Sequence, residues 1–416
     1  MDRQVRTQGM DQGKRFSRRD FLRLSACVAT AATAGCQADT RDAASGLADP
    51  TPCDPTRWQK HGVVLEATES WEGGSVQNFT CCAEPLERGG WRLWYSVCEK
   101  REDFNIAIAE GVPGEPMKKF PAVCTPGEPA DAPLSIGNLP VEWKPVQPVH
   151  VLLPSGRHRL YFWVHGPKIV RYLAAESDDG RRYRVLDPQR AVLYHPSDRA
   201  AFGVPSPDGL LIHKQPDAGR PADEPPAISR QISNDATNLY QLPDGSFEMY
   251  SVALVPVGKD DPAYVAEDNA PGLIRVIDRY ASADGLHFDD RRRVIAPDSA
   301  DPSDQQFYYL AVTPTPRGRV GMLGHYRCKA QTMDLEWCYS TDGINWQRPR
   351  RSGWLARGNP PAPDCYGIYG NSRLVLRDGR WHLFYTAVNS AHNGKHSYGP
   401  PRQCVMLATT DSIWAG

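Results

Sequence analysis

Acidic side chains next to interrupted apolar runs are the residues of this sequence best suited to acid–base chemistry. Asp235 and Asp304 each directly precede a strand-like segment in which polar residues break an apolar pattern. Glu72 lies in a turn-like Glu-Gly-Gly segment, and Glu336 stands between two apolar residues on a predicted strand. Two carboxyl groups that flank a glycosidic bond, one protonating the leaving oxygen and the other activating water or attacking, would hydrolyse that bond. Turn, cap or surface roles are the structural alternatives for these four acids.

Amide, imidazole and phenol side chains accompany these acids in the predicted strands. Sugar hydroxyls need paired donors and acceptors, and the apolar face of a sugar ring stacks on aromatic rings. The sequence therefore suggests a set of sugar-binding candidates, each of which also fits a packing or turn role. These candidates are Asn78, His150, Asn238, Tyr308, Tyr366 and Asn371.

A repeated turn motif indicates how such distant residues are positioned. The pattern Ser-x-Asp-Gly-x-x-aromatic occurs at 177–183, 282–288 and 340–346, each time after an alternating apolar run. Asp-Gly predicts a tight turn, because Gly accepts positive φ and Asp bonds back to nearby backbone amides. The aromatic residue after the turn can then fold back on the preceding strand. Three copies in register predict a structural repeat.

Five further segments share a polar turn followed by a strand rich in aromatic residues. Another β-rich run precedes each turn, so the unit is strand, hairpin, strand, and then strand, Asp-Gly turn, strand. Such a unit, repeated at intervals of roughly 60 to 90 residues, is typical of propeller blades. We therefore predict an all-β fold, a five-bladed β-propeller with four-stranded antiparallel blades, whose inner strands bring polar residues to one channel. The five segments are 89–95, 155–162, 244–250, 317–326 and 378–385.

The N-terminal residues predict an export signal rather than part of the fold. Residues 15–23 resemble a twin-arginine signal, and the short apolar run that follows ends in an Ala-Gly-Cys sequence similar to a bacterial lipobox. We expect a signal peptide over 1–36 with lipidation at Cys36, or alternatively simple cleavage after a small residue. Residues 37–57 then form a flexible linker and 58–416 the propeller domain. The expected location is the periplasm or the cell surface, and a lipid anchor would be the one contact with a membrane.

Charge and cysteine content exclude several other classes of protein. The 416 residues carry a formal net charge of −1 with mixed signs, so a nucleic-acid partner is not predicted. Nine cysteines follow Cys36, and an odd number cannot pair completely. Cys81 or Cys82 with Cys98, and Cys328 with Cys338, are the candidate disulfides. Metal-ligand spacing is absent from the sequence, so no cofactor or metal is predicted, and a central ion such as calcium stays open.

The hairpins, the Asp-Gly turns and the Trp71-Glu72 pair together resemble the five-bladed propeller glycoside hydrolases, which include arabinanases, β-xylosidases, invertases, levansucrases and mannoside phosphorylases. This resemblance implies an exported glycosidase with a carbohydrate substrate and three acids in a central pocket. Gln77-Asn78 stands where the first blade of the family usually carries an Asp, and Glu72 is the nearest acid.

The departure in the first blade keeps other functions open. A non-catalytic glycan-binding propeller and an envelope interaction scaffold that uses the loop 197–229 are the alternatives. A phosphorylase would need a basic pocket for phosphate, for which Arg327 and Arg373 are the candidates. The sequence predicts neither the sugar and its linkage nor the oligomeric state.

Overall fold

A computed structural model of the protein describes residues 57–77, 82–100, 103–195, 198, 231–233, 236–370 and 373–414. These residues form β-strands joined by turns and loops, with two short 3-10 turns at Ser70–Glu72 and Glu87–Gly89. Within these ranges no helix is long and apolar enough to cross a membrane. The strands are β1 (Gln59–Leu65), β2 (Cys82–Pro85), β3 (Trp91–Cys98), β4 (Phe104–Gly111), β5 (Lys118–Pro121), β6 (Val123–Cys124), β7 (Ser135–Gly137), β8 (Lys144–Leu152), β9 (His158–Gly166), β10 (Ile169–Ser177), β11 (Arg182–Val185), β12 (Leu193–Tyr194), β13 (Gln231–Ile232), β14 (Asn238–Gln241), β15 (Phe247–Pro256), β16 (Leu273–Ser282), β17 (Asp289–Ile295), β18 (Gln305–Thr315), β19 (Gly318–Arg327), β20 (Thr332–Ser340), β21 (Gly353–Leu355), β22 (Gly367–Tyr369), β23 (Val375–Arg377), β24 (Arg380–Val388) and β25 (Gln403–Thr410).

The strands form four sheets by hydrogen bonding. The four-stranded sheet has the order β2-β3-β4-β5, and the five-stranded sheet has the order β13-β15-β16-β17 with β14 also on β15. The seven-stranded sheet has the order β6-β7-β11-β10-β9-β8, with β12 on β10. The nine-stranded sheet has the order β1-β25-β24-β22-β20-β19-β18, with β21 on β20 and β23 on β24. The N-terminal strand β1 thus completes a sheet made of C-terminal strands.

Runs of consecutive antiparallel neighbours recur inside these sheets. Each run begins with a hairpin, and a Gly in every hairpin turn has a positive φ, between 75° and 116°. The hairpins predicted from the sequence are therefore confirmed. The runs are β2 to β5, β8 to β11, β14 to β17, β18 to β21, and β23-β24-β25-β1; they are called the first to fifth runs below.

Hydrogen bonds link each run to the next one. Most of them join a backbone group to a side chain near the first strand of a run, so they fix how the sheets sit side by side. The last of them leads from the fifth run back to the first. The bonds are Gln147 N to Ser96 Oγ at 2.8 Å, Ala236 N to Gln147 Oε1 at 3.0 Å, Val312 N to Asn238 Oδ1 at 3.3 Å, Leu374 N to Thr313 Oγ1 at 2.7 Å, and Arg377 Nη2 to Leu86 O at 2.9 Å.

The hydrophobic core is divided among the spaces between neighbouring runs. A strand such as β3, with seven of its eight residues buried, is covered on both faces because each sheet packs against two others. Removing an aromatic side chain from such a core typically costs about 3–5 kcal/mol of stability. Residues that share one buried cluster across two runs are Trp94 with Phe162, Trp163 with Met249, Tyr250 with Leu323, Leu335 with Leu383, and Leu93 with Phe384.

The Ser-x-Asp-Gly turns have the predicted conformation and a further role. In the third copy, Ser340 Oγ bonds to Asp342 Oδ1 at 2.9 Å, and Gly343 N donates to Ser340 Oγ at 2.8 Å. Burial acts to raise the pKa of Asp342, but backbone N–H donors outweigh it and hold that pKa below its usual value. Tyr250 of β15 donates its hydroxyl to Gly343 O at 3.0 Å. The turn therefore joins its own sheet to the preceding run.

The candidate disulfides do not form among the described cysteines. Cys328 and Cys338 are free thiols, because the β19–β20 register places Cys338 opposite Gly321 rather than opposite Cys328. Cys82 and Cys98 are also free, and Cys82 lies opposite Trp94. The prediction of a Cys328–Cys338 or Cys82–Cys98 bond was wrong. Cys81 lies outside the described residues.

Candidate functional site

Glu72 is fully buried in the 3-10 turn before β2. Its Oε2 accepts hydrogen bonds from Thr68 N at 2.7 Å, Glu69 N at 2.8 Å and Lys119 Nζ at 2.8 Å. Its Oε1 accepts the Tyr95 hydroxyl at 2.8 Å. Burial, and then the Glu72 charge, raise the pKa of Tyr95, so this phenol stays a donor. The carboxylate thus holds the segment 68–72 to β3 and β5.

Glu336 is also fully buried, on β20. Arg348 donates Nε to its Oε1 at 2.7 Å and Nη2 to its Oε2 at 3.0 Å, and His325 Nδ1 lies 2.9 Å from Oε2. Arg348 also holds Asp301, with both Nη atoms at 2.8 Å. The Glu336 carboxylate on this strand is therefore paired with Arg348 and His325, within a buried ion-pair network that also includes Asp301.

Asp304 directly precedes β18 and is buried. Arg327 donates Nη2 to its Oδ1 at 2.6 Å, and Lys329 N lies 3.3 Å from Oδ2. Burial acts to raise the pKa of Asp304, but the Arg327 guanidinium outweighs it and lowers that pKa. An ionised carboxylate is suited to accept a proton or to stabilise positive charge, not to donate a proton.

Tyr308, a predicted sugar-binding residue, belongs to a group of polar and aromatic side chains that we call the His392 cluster: Asp268, Arg275, Tyr308, Tyr326, Tyr369 and His392. The Asn269 amide nitrogen lies 3.1 Å from His392 Nε2, and Tyr308 Oη lies 3.1 Å from the same atom. Since an amide nitrogen only donates, His392 accepts at Nε2 and carries its proton on Nδ1, 2.8 Å from Tyr369 Oη. Burial, and then the Arg275 charge, lower the pKa of His392 to about 4. The imidazole is therefore neutral near pH 7.

A buried ion pair supports the other side of this cluster. Arg275 Nη1 donates to Asp268 Oδ2 at 2.8 Å, and Tyr326 donates its hydroxyl to Asp268 Oδ1 at 2.9 Å. The guanidinium carbon lies 4.7 Å from the Tyr308 ring centroid and 5.3 Å from that of Tyr326. Gln306 Oε1 accepts Arg275 Nη1 at 2.6 Å. The orientation of Tyr308 is thus set by a cation–π contact and a hydrogen bond together.

Three loops from different runs meet at the His392 cluster. Gln331 Nε2 and Asn393 Nδ2 both lie 3.3 Å from Glu267 O, and His392 N donates to Gln331 O at 3.0 Å. The loops therefore support one another instead of projecting separately. They are 257–272 after β15, 328–331 after β19, and 389–402 after β24.

Tyr366 and Tyr398 form an aromatic pair beside these loops. Their ring centroids lie 5.5 Å apart at an interplanar angle of 33°, and Tyr398 is 47% exposed. Asn389 holds the Tyr398 segment, since its Nδ2 donates to Tyr398 O at 2.8 Å. An exposed, positioned aromatic ring is a suitable platform for the apolar face of a sugar.

His150 is one of a row of contacting side chains, His158, His150 and Glu84, that the sequence did not predict. Its Nε2 is 3.0 Å from His158 Nδ1, its Nδ1 is 3.7 Å from Glu84 Oε2, and its ring lies 5.3 Å from that of Trp94. Burial, and then electrostatic repulsion from His158, lower the pKa of His150 well below its usual value. The neutral ring therefore shares a hydrogen bond with His158.

The same row of side chains has ligand atoms within 4.8 Å of one another, so its fit to a metal can be tested. The two nitrogens, 3.0 Å apart, could both bind one ion at about 2.1 Å only with an N–ion–N angle of about 90°, well below the tetrahedral angle of structural zinc sites. Arg92 already pairs with Glu84 at 3.2 Å. A divalent ion about 6 Å from one guanidinium would be repelled by roughly 5 kcal/mol at an effective dielectric of about 20. A hydrogen-bonded chain fits this geometry better than a metal centre.

Solved structures give the fold a context. A scan against protein-family models finds no match to the sequence, and a search of curated proteins finds none either. The α-L-arabinofuranosidase PaAbf62A from Podospora anserina, in complex with cellotriose, matches with a TM-score of 0.52 at 9% identity, over 86% of this chain and 97% of that one. A thermostable family-43 glycoside hydrolase matches with a TM-score of 0.51 at 9% identity, over 80% of this chain and 88% of that one. The chain shares the fold of these glycoside hydrolases.

The predicted site residues thus fall into separate groups. Glu72, Glu336 and Asp304 have no hydrogen-bond or ion-pair partner in common among those described for them. Asn238 is buried and joins two runs through its bond to Val312 N. Four predicted residues lie outside the described residues: Asp235, Asn78, Asn371 and Cys36.

Proposed function

We propose that this protein is a glycoside hydrolase on a five-bladed β-propeller in which each of the five runs is one four-stranded blade. The hydrogen bonds and shared cores that pass from run to run and return to the first run support this arrangement. The observation that carries the activity is the similarity of fold, over 86% of the chain, to an arabinofuranosidase in complex with cellotriose. The proposed substrate is an oligosaccharide or polysaccharide of the cell envelope, bound where the first strands of the blades meet.

Within this proposal Asp235 and Asp304 are the catalytic carboxylates. The lowered pKa of Asp304 suits a general base or a residue that stabilises positive charge. Asp235 is then the proton donor. Glu72 and Glu336 have both oxygens engaged, so they act as positioning residues through the loop and strand that they hold. Tyr308 and Tyr366 are the sugar-binding aromatics.

Hydrolysis of a glycan panel by the protein tests this assignment. Asp235→Asn and Asp304→Asn should each lower kcat by at least about 100-fold if a positioned acid or base is lost. Asp378→Asn is the matched control, because the Asp378 side chain is 89% exposed. Turnover that is unchanged in both test variants would remove the two residues from the catalytic site.

Glycan binding without turnover is the second candidate function. It is favoured by one observation: each candidate carboxylate in the described part of the chain is neutralised by a cation, Glu72 by Lys119, Asp304 by Arg327 and Glu336 by Arg348. Calorimetry with the same glycan panel distinguishes the two functions. Binding with no released sugar would favour this second candidate.

We further propose that the protein leaves the cytoplasm by the twin-arginine route and is lipidated at Cys36. The support is the sequence of residues 15–36 alone. Replacing Arg18 and Arg19 with Lys should retain the protein in the cytoplasmic fraction. Cys36→Ser should abolish incorporation of labelled fatty acid without preventing export, and label that persists in this variant would contradict lipidation.

A further inference from the structure

Arg373 occupies a position between three of the runs. The next residue, Leu374, donates its N–H to Thr313 Oγ1 at 2.7 Å and is buried in the core shared by the fourth and fifth runs. Val375 packs instead against the core shared with the first run. Because side chains alternate along an extended segment, Arg373 faces the same side as Val375. Strand β23, which begins at Val375, contacts β2, and Cys82 Sγ of β2 lies 4.0 Å from His150 O of β8. The face that Arg373 shares with Val375 therefore lies beside the first strands of the first and second runs.

Among the residues that the structure describes, the acids near Arg373 are paired with other arginines. Arg92 binds Glu84 at 3.2 Å and Glu110 at 2.6 Å, and Arg181 binds Glu110 at 2.8 Å. These two acids and two arginines balance one another. Arg373 itself is half-buried and has neither a hydrogen bond nor an ion pair to any residue that the structure describes. A half-buried guanidinium in this condition gains stability from any anion that reaches it.

Arg327, the other arginine that the sequence offers for phosphate binding, already has an ion-pair partner in the protein. Arg327 is paired with Asp304 at 2.6 Å, so its guanidinium neutralises a carboxylate of the protein. Guanidinium groups bind carboxylate and phosphate oxygens in a bidentate geometry, whereas a neutral sugar hydroxyl offers no charge. Of the two arginines, Arg373 is thus the one available to an external oxyanion.

We propose that Arg373 is an oxyanion-binding residue between β2, β8 and the segment 373–377, and that the ligand carries a carboxylate on a sugar ring or is inorganic phosphate. The inference rests on the proposed carbohydrate site and names the class of substrate or co-substrate that it takes. A carboxylate would make the substrate a uronic-acid glycan. Phosphate would make the reaction a phosphorolysis, in which a phosphate oxygen forms the new bond to the anomeric carbon and the protonated glycosidic oxygen leaves.

Calorimetry on the full-length protein at low ionic strength tests this proposal with three probes: a hexuronate, the corresponding neutral hexose, and inorganic phosphate. Arg373→Gln should weaken binding of the hexuronate or of phosphate at least 10-fold and leave binding of the neutral hexose unchanged. Arg373→Lys should lose less, because it keeps the charge without the bidentate geometry. Arg380→Gln is the matched control, since Arg380 is 43% exposed and pairs with Asp411.

The outcomes separate the two proposals. Binding of the hexuronate alone identifies an acidic glycan, and binding of phosphate alone identifies phosphorolysis. Failure of both anions to bind, or equal binding by the protein and the Arg373→Gln variant, would overturn the role of Arg373. Anion binding that depends on Arg373 without turnover of any glycan, with or without phosphate, would overturn the proposed enzyme and leave this inference intact. Melting curves of each variant establish that a loss of binding is not a loss of folding.

Discussion

Substitution of Gly343 by Ala should destabilise the protein far more than the same change at Gly379. The two glycines have nearly equal φ, +76° and +75°, so an Ala at either site carries a similar left-handed penalty of about 1–2 kcal/mol. A Cβ at Gly343 would lie 2.7 Å from Tyr250 Oη and 2.8 Å from Glu248 Oε1, whereas a Cβ at Gly379 would have no atom within 4 Å. Glu248 cannot move away freely, because Arg319 holds it at 2.6 Å.

The contact at Gly343 adds an overpacking cost of about 1–3 kcal/mol to the shared penalty. We therefore expect losses of unfolding free energy of about 1–2 kcal/mol for Gly379→Ala and about 2–5 kcal/mol for Gly343→Ala. Urea denaturation followed by tryptophan fluorescence measures both losses under one condition. Equal losses in the two variants would refute the claim that this turn is packed against the preceding sheet.

Three further predictions concern buried charge and the candidate binding surface. The unfolded chain binds a proton on His392 near pH 6.5 but the folded chain only near pH 4, so stability present above pH 6.5 should fall by about 2 kcal/mol between pH 7 and pH 4.5. His392→Gln should remove that part of the slope in urea titrations, and an unchanged slope would show that this ring is not the origin. Glu336→Gln should cost about 3–5 kcal/mol because it leaves Arg348 buried without its full partner; Asp411→Asn, at an exposed pair, should cost under about 0.5 kcal/mol in the same assay. Tyr398→Ala should weaken oligosaccharide binding in calorimetry about 5-fold, by loss of one stacking ring, without lowering Tm; an unaltered affinity would exclude Tyr398 from the glycan surface.

The local turn chemistry was predictable from the sequence, and the partners of the acids were not. The hydrogen bonds that form the third turn join Ser340, Asp342 and Gly343, which are close in sequence, so the motif alone predicts the turn. Glu72 instead depends on Lys119, which is 47 residues away. The sequence signal that was overlooked is the Glu69 to Glu72 spacing, which forms a reciprocal capping box around the 3-10 turn.

The contacts of Glu336 and His150 depend on strand register. His325 reaches Glu336 because β19 and β20 place Leu323 opposite Glu336 and His325 two positions along. A shift of one residue would send these side chains to opposite faces of the sheet, and periodicity in a single sequence does not specify register at that level. For the same reason the sequence indicated polar residues near one another without indicating which of them neutralise each other.

The pairing of β1 with β25 has a consequence for biosynthesis. Gln59 lies opposite Thr409, so β1 finds its hydrogen-bonding neighbour only after β25 has left the ribosome. The early runs can begin to collapse during translation, but β1 has no strand neighbour until β25 emerges. The nine-stranded sheet is therefore completed only when β25 is available, and a chain truncated before residue 403 would present the free edge of β1 to chaperones and proteases.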